Sequence, residues 1–134
     1  MVHEETRVTI ESQLDIVTAR QAVRELAGKL GFPTSEITII ATAVSEITRN
    51  IIEYAKRGEV TVRIVREARR QGLMVVAFDQ GPGIADIPRA MQDGFSTGKS
   101  LGLGLPGAKR MMDEFTVVSA VGKGTTVTMK KWVR

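Results

Sequence analysis

The sequence predicts an α+β fold, a two-layer sandwich with helices on one face of a mixed, mostly antiparallel sheet. Three observations predict it. Two long segments in the first half repeat apolar residues at helical spacing, and the later alternating segments come in pairs joined by turn residues rather than by helices. Apolar residues make up 43% of the 134, enough for one core. The expectation is a single domain over residues 1–134.

Taken in order, residues 8–11 alternate as a short strand. Residues 14–30 carry Ile16, Val17, Ala19, Val23, Leu26, Ala27 and Leu30 at helical spacing, and Gly31 follows as the residue type favoured just past a helix end. A second helix opens at Pro33, Thr34 and Ser35. Its stripe of Ile37, Ile40, Val44, Ile47, Ile51 and Tyr54 runs at steps of three and four, and Gly58 ends it. Residues 59–66 alternate as a strand, the polar segment "EARRQG" turns the chain, and the apolar residues 73–78 form a buried strand, so the two pair as a hairpin. From residue 79 to 104 the pattern gives way to Gly, Pro, Ser and Thr, apart from a short helical stretch around 87–91. Pro106 suits the first turn of a helix over "GAKRMMDEF", and two final strands flank the turn Gly122, Lys123, Gly124.

Composition narrows the chemistry. With no cysteine, disulfides, zinc-thiolate sites and thiol nucleophiles are excluded. The start "MVHEETRVTI" lacks the basic and apolar regions of a signal peptide, and no apolar run approaches the ~18–20 residues that span a bilayer, so a cytoplasmic protein with no membrane partner is expected. The formal charge of +4 suits anionic ligands, but the 19 basic residues are scattered and only 4% of residues are aromatic. Nucleic-acid binding needs clustered basic surface interleaved with aromatic residues, so no nucleic acid is expected either.

Three constellations carry candidate chemistry. Glu46 and Asn50 lie four apart on the second helix, on one face beside the apolar stripe. Taken alone the pair reads as a solvated helix edge; read as function, Asn50 offers a neutral oxygen to Mg²⁺ and Glu46 accepts a proton from a hydroxyl or water. Asp79 ends a buried strand and is followed by Gly81 and Gly83, which permit positive φ and close approach of a ligand. An ordinary turn with a capping Asp is the plainer reading; an Asp79 that accepts the exocyclic amine of adenine would favour ATP over GTP. Gly102, Gly104 and Gly107 spell G-x-G-x-x-G, but the run follows a loop late in the chain rather than the first strand of a βαβ unit, so a dinucleotide site fails on context. The segment from Gly94 to Ser100 ends like a phosphate-binding P-loop, yet Asp93 stands where its first glycine is required. What remains is a glycine-rich phosphate lid running into a helix N-terminus at Pro106, where free N–H groups and the dipole favour a polyphosphate. Lys99 and Arg49 are within the reach of phosphates or are solvated, and His3 reads as a solvated terminal residue.

The order of these motifs is specific: "ExxxN" on a helix, "DxGxG" at a strand end, a glycine-rich lid, a helix, then "GKGT" before the last strand. In "SEITRNI", "FDQGPGIADIPRAMQDGFST", "GLGLPGAKRMMDEF" and "GKGT" the chain resembles, over nearly its whole length, the GHKL ATPase/kinase superfamily with its Bergerat ATP-binding fold. Within it, the chain is similar to the anti-sigma-factor-type serine/threonine kinases, above all the switch kinases of bacterial stressosome pathways. The resemblance implies Glu46 as base, Asn50 as Mg²⁺ ligand, Asp79 with Gly81 and Gly83 at adenine, Gly102, Gly104 and Gly107 along the triphosphate, and Thr125 supporting the adenine end. The lid is the variable part of this superfamily, and contacts from Lys99 or Ser100 do not carry over with it. Also implied are the cofactors ATP and Mg²⁺, phosphorylation of STAS-domain scaffold or antagonist proteins in a stress-signalling partner switch, and activation of a PP2C-type phosphatase on release. A sequestering module that uses ATP to hold a sigma factor is the alternative.

Overall fold

The computed structural model describes residues 4–84, 91 and 104–134. The elements, in chain order, are β1 (Glu5–Ile10), α1 (Gln13–Leu30), α2 (Thr34–Asn50) continued by a π-helical turn (Ile51–Ala55), β2 (Gly58–Glu67), β3 (Arg70–Asp79), α3 (Gly104–Met111), β4 (Glu114–Ala120) and β5 (Gly124–Trp132). The five strands form one sheet in the order β1-β2-β3-β5-β4. Every described pairing is antiparallel, so the expected mixed character is absent among the described residues.

Local chemistry starts α1. Ser12 takes an extended conformation before it, and Asp15 reaches back to accept hydrogen bonds from the backbone N–H of Glu11 (2.8 Å) and Ser12 (2.9 Å). These two bonds, to groups the helix leaves unpaired, hold the Asp15 carboxyl below its ordinary value. The helix ends at Gly31 in the left-handed region, φ 83°, as the sequence predicts.

Helix α2 is rich in β-branched and hydroxyl residues, which disfavour helix on their own. Four of its hydroxyls are satisfied within the helix: Thr38 donates to Thr34 O, Thr42 to Thr38 O, Ser45 to Ala41 O and Thr48 to Val44 O. The fully buried Thr48 therefore leaves no polar atom unpaired, and packing of Ile40, Val44 and Ile47 drives the helix. The expected stripe holds as far as Ile51. Tyr54 departs from it and is 47% exposed, because the wider π-helical turn after Asn50 rotates the last residues out of register.

One sheet face builds the core. Val8, Ile10, Val60, Val62, Leu73, Val75, Ala77, Val127 and Met129 alternate toward the helices and pack on Ala19, Val23, Leu26, Ile40, Val44 and Ile47. Each fully buried Val, Leu or Ile there contributes about 1.5–3 kcal/mol of transfer free energy. Phe78 (43% exposed) and Val118 (66%) lie on the other, uncovered face. At the far end Trp132 is buried, donates Nε1–H to Glu114 Oε2 at 2.6 Å and lies under the Arg70 guanidinium, 3.9 Å from the ring centre.

Three boundaries move. The "EARRQG" turn shrinks to Ala68 and Arg69, with Glu67 and Arg70 already paired across the strands. Strand β1 begins at Glu5, and α3 begins at Gly104 rather than at Pro106. The short helix expected around 87–91 lies outside the described residues except for Met91, which packs against the core.

Candidate functional site

Register fixes the floor of the site. Ile10, Gly58, Asp79, Thr125 and Ser119 pair in turn across all five strands, forming the last row at one end of the sheet. Alternation puts this row on the helix-facing side, yet beyond Ile10 it is small or polar where the rows beneath are apolar. Above it sit the end of α2 and its π-helical turn, with Ile51 over Gly58: a Cβ on that glycine would come within 2.8 Å of Ile51 Cγ2.

Glu46 is 7% exposed in the body of α2. Its Oε1 accepts a hydrogen bond from Arg49 Nη1 at 2.8 Å, three residues on, while Oε2 is buried and has no partner among the described residues. A buried oxygen left unpaired forfeits about 1–3 kcal/mol of hydration, so this carboxylate sits ready for a donor from outside the chain. Asn50 closes α2 one turn later, half-buried, and no hydrogen bond engages its side chain among the described residues.

The Asp79 turn is held from both sides. Asp79 Oδ1 accepts the Gly81 N–H at 2.9 Å, leaving Oδ2 unpartnered among the described residues. Gly81 is required by close approach, since a Cβ there would lie 2.5 Å from Ala55 Cβ of the π-helical turn. Gly83 is required by its left-handed φ of 80°, and a Cβ there would meet the Ala120 carbonyl. The Gly122 N–H donates to Pro82 O at 2.8 Å and the Ile84 N–H to Ser119 Oγ at 2.8 Å, which ties segment 79–84 to β4 and the turn after it.

Gly104 opens α3 and Gly107 is buried in its first turn, where N–H groups lack helical acceptors. Leu105 and Ala108 anchor this helix in the core, packed along α2. Gly102, with Lys99, Ser100, His3 and the segment from Gly94 to Ser100, lies outside the described residues.

The structure thus brings Asp79 and Thr125 side by side and joins them, through the contact of Ala55 with Gly81, to the helix of Glu46 and Asn50. It also adds two residues. Arg49, read as a phosphate or solvent group, grips Glu46; the i, i+3 spacing of an Arg after a Glu was the available signal. Ser119 joins Ile84, Gly124 and Thr125, and nothing in the alternating run "EFTVVSA" marks it.

These residues fit a nucleotide and a magnesium ion. Among the described residues the orphaned Glu46 oxygen, the unengaged Asn50 amide and Asp79 Oδ2 are all unfilled hydrogen-bonding or ligand positions. Among the described residues no group of three or more His, Asp or Glu could hold a metal alone. One protein oxygen is compatible with Mg²⁺, which keeps waters and takes its remaining ligands from phosphates.

A family model for the histidine kinase-like ATPase domain matches residues 10–131. The chain belongs to that family. The chain is similar to the Serine/threonine-protein kinase RsbT of Bacillus subtilis, 47% identical over 133 residues, 99% of this chain and 100% of that protein. An Anti-sigma F factor of Caldanaerobacter subterraneus is 34% identical over 119 residues, covering 86% of this chain and 83% of the relative. Among solved structures, the RsbU and RsbW domains of a Mycobacterium tuberculosis protein superpose with a TM-score of 0.68 at 20% identity, over 97% of this chain and 33% of that one. That likeness concerns the fold, and it agrees with the five-stranded antiparallel sheet and helices seen here. No described helix is long and apolar enough to cross a membrane.

Proposed function

We propose that this chain is a serine/threonine protein kinase that uses Mg-ATP to phosphorylate STAS-domain scaffold or antagonist proteins in a bacterial stress-signalling partner switch, and that it activates a PP2C-type phosphatase when released from them. The observation that carries the reading is the buried Glu46 carboxylate with its unpartnered Oε2, one turn before the unengaged Asn50. The near full-length likeness to a protein named as a serine/threonine kinase supports the acceptor class.

Bound ATP supplies the phosphoryl group, and Mg²⁺ neutralises charge on it. Asn50 offers the ion its side-chain oxygen. Asp79 and Thr125 take the adenine end, Gly81 and Gly83 hold the turn after Asp79 in place, and Gly104 and Gly107 at the start of α3, with Gly102 by resemblance, take the phosphates. Glu46 accepts the proton of the acceptor hydroxyl through Oε2 while Arg49 holds Oε1, so the hydroxyl oxygen bonds to phosphorus as ADP departs. The protein works in the cytoplasm. Incubation with radiolabelled ATP and a cognate STAS protein tests this: labelled serine or threonine on the partner supports it, and release of free phosphate without labelled partner contradicts it.

The likeness to anti-sigma F factors favours a second reading, ATP-dependent sequestration of a sigma factor. Capture of a purified sigma factor without phosphoryl transfer to any STAS partner would favour it over the first.

A further inference from the structure

Ser119 lies at the end of the polar row, and its hydrogen-bonding capacity is fully determined. A serine hydroxyl has one hydrogen and two lone pairs. The Ile84 N–H donates to Ser119 Oγ at 2.8 Å and takes one lone pair. The Gly124 carbonyl, 2.9 Å away, has no hydrogen to give, so it takes the serine hydrogen. The third neighbour, Thr125 Oγ1 at 2.8 Å, then has one role left, which is to donate into the second lone pair. Thr125 accordingly turns its only hydrogen toward β4 and presents only lone pairs to anything else.

Thr125 pairs with Asp79 on the adjacent strand. Asp79 Oδ1 is occupied by the Gly81 N–H, and Oδ2 is likewise an acceptor. Two neighbouring groups on this row therefore offer acceptors and no donor. A base edge that brings hydrogens, such as the 6-amino group of adenine, is matched; a 6-oxo group meets lone pairs from both sides. We propose that Ser119 is a specificity-determining positioning residue, which fixes the Thr125 hydroxyl as an acceptor and so selects a 6-aminopurine over a 6-oxopurine. The proposal rests on the nucleotide reading above and extends it to a residue that does not touch the base.

Adenosine and inosine diphosphates differ at the 6-position, amino or oxo, and at the adjoining N1, an acceptor in adenine and an N–H in hypoxanthine, so the ratio of their dissociation constants, measured by calorimetry, reads the donor and acceptor polarity of this row. In Ser119→Ala, Ile84 and Gly124 lose a partner, which weakens both nucleotides by a common factor that cancels in the ratio. The freed Thr125 hydrogen can then rotate toward the 6-oxo group. The expected result is a preference for the adenine nucleotide that narrows about tenfold, the scale of one hydrogen bond gained or lost. Ser119→Thr keeps the hydroxyl, suits a strand and is expected to retain the parent ratio. An unchanged ratio in Ser119→Ala, or a ratio that collapses equally in Ser119→Thr, overturns the proposal and leaves ATP binding standing. A parent protein that binds neither nucleotide overturns the nucleotide reading and this one with it.

Discussion

Replacing Glu46 by Gln separates chemistry from binding and from folding, because the structure gives each a different magnitude. The substitution preserves shape. A glutamine carbonyl still accepts from Arg49 Nη1 across the present 2.8 Å. The loss falls on the other position, where an oxygen with a free lone pair becomes an amide NH₂ that cannot take a proton. Loss of a general base slows a reaction by ~10²–10⁴-fold, about 3–5 kcal/mol of barrier. Stability changes far less. Arg49 is 37% exposed, so the ion pair is screened and contributes under about 1 kcal/mol, and the parent already leaves Oε2 unpaired. The melting temperature is therefore expected to move by only a few degrees, roughly 3–4 °C for each kcal/mol in a domain of 134 residues. Single-turnover transfer from labelled ATP to a cognate STAS protein, with calorimetry of ATP binding on the same samples, measures the rate and the affinity. Transfer slowed at least a hundredfold with affinity within about threefold is expected. Transfer at the parent rate would refute Glu46 as the base, and a parallel loss of ATP binding would make it a binding residue instead.

The remaining expectations use the same protein. Asn50→Ala should weaken nucleotide binding in the presence of Mg²⁺ and leave metal-free binding nearly unchanged, as calorimetry with and without the ion will show. Asp79→Asn should lower ATP affinity by about 1.5–3 kcal/mol, roughly 10- to 150-fold, because a charged acceptor becomes neutral; equal affinity of the parent for ATP and GTP would count against the adenine contact. Asp15 gives a pH signature. Its carboxyl is held below the ordinary value of 3.8, so its stabilising contribution is complete above that value and is lost as pH falls through the lower folded-state value. The difference in melting temperature between parent and Asp15→Asn should be constant above about pH 5 and vanish as the solution becomes more acidic.

Much of the fold is readable before the structure because the deciding forces are local. The apolar stripe of α1, its stop at Gly31 and the strand hairpin before Asp79 follow from periodicity and turn chemistry. Tyr54 was misplaced because a single π-helical turn shifts every later residue, and an ideal 3.6-residue period contains no sign of it. The insertion of β5 between β3 and β4 depends on contacts distant in sequence, so the row joining Asp79, Thr125 and Ser119 could not be drawn from spacing. Glu46, Asn50 and Asp79 stood out through residue type and motif order. Ser119 did not, since its role depends on Gly124 and Thr125, set beside it by the register of β4 and β5, and on Ile84 from the segment after β3.

Identification of the phosphorylated residue tests the central claim most directly. The protein is incubated with γ-labelled ATP, Mg²⁺ and a purified cognate STAS protein, and the acceptor is mapped by mass spectrometry. Expected is one serine or threonine of the STAS partner carrying phosphate in a Mg²⁺-dependent reaction that Glu46→Gln slows by about a hundredfold or more. Label that appears only as free phosphate, or on a histidine of either protein, would contradict it.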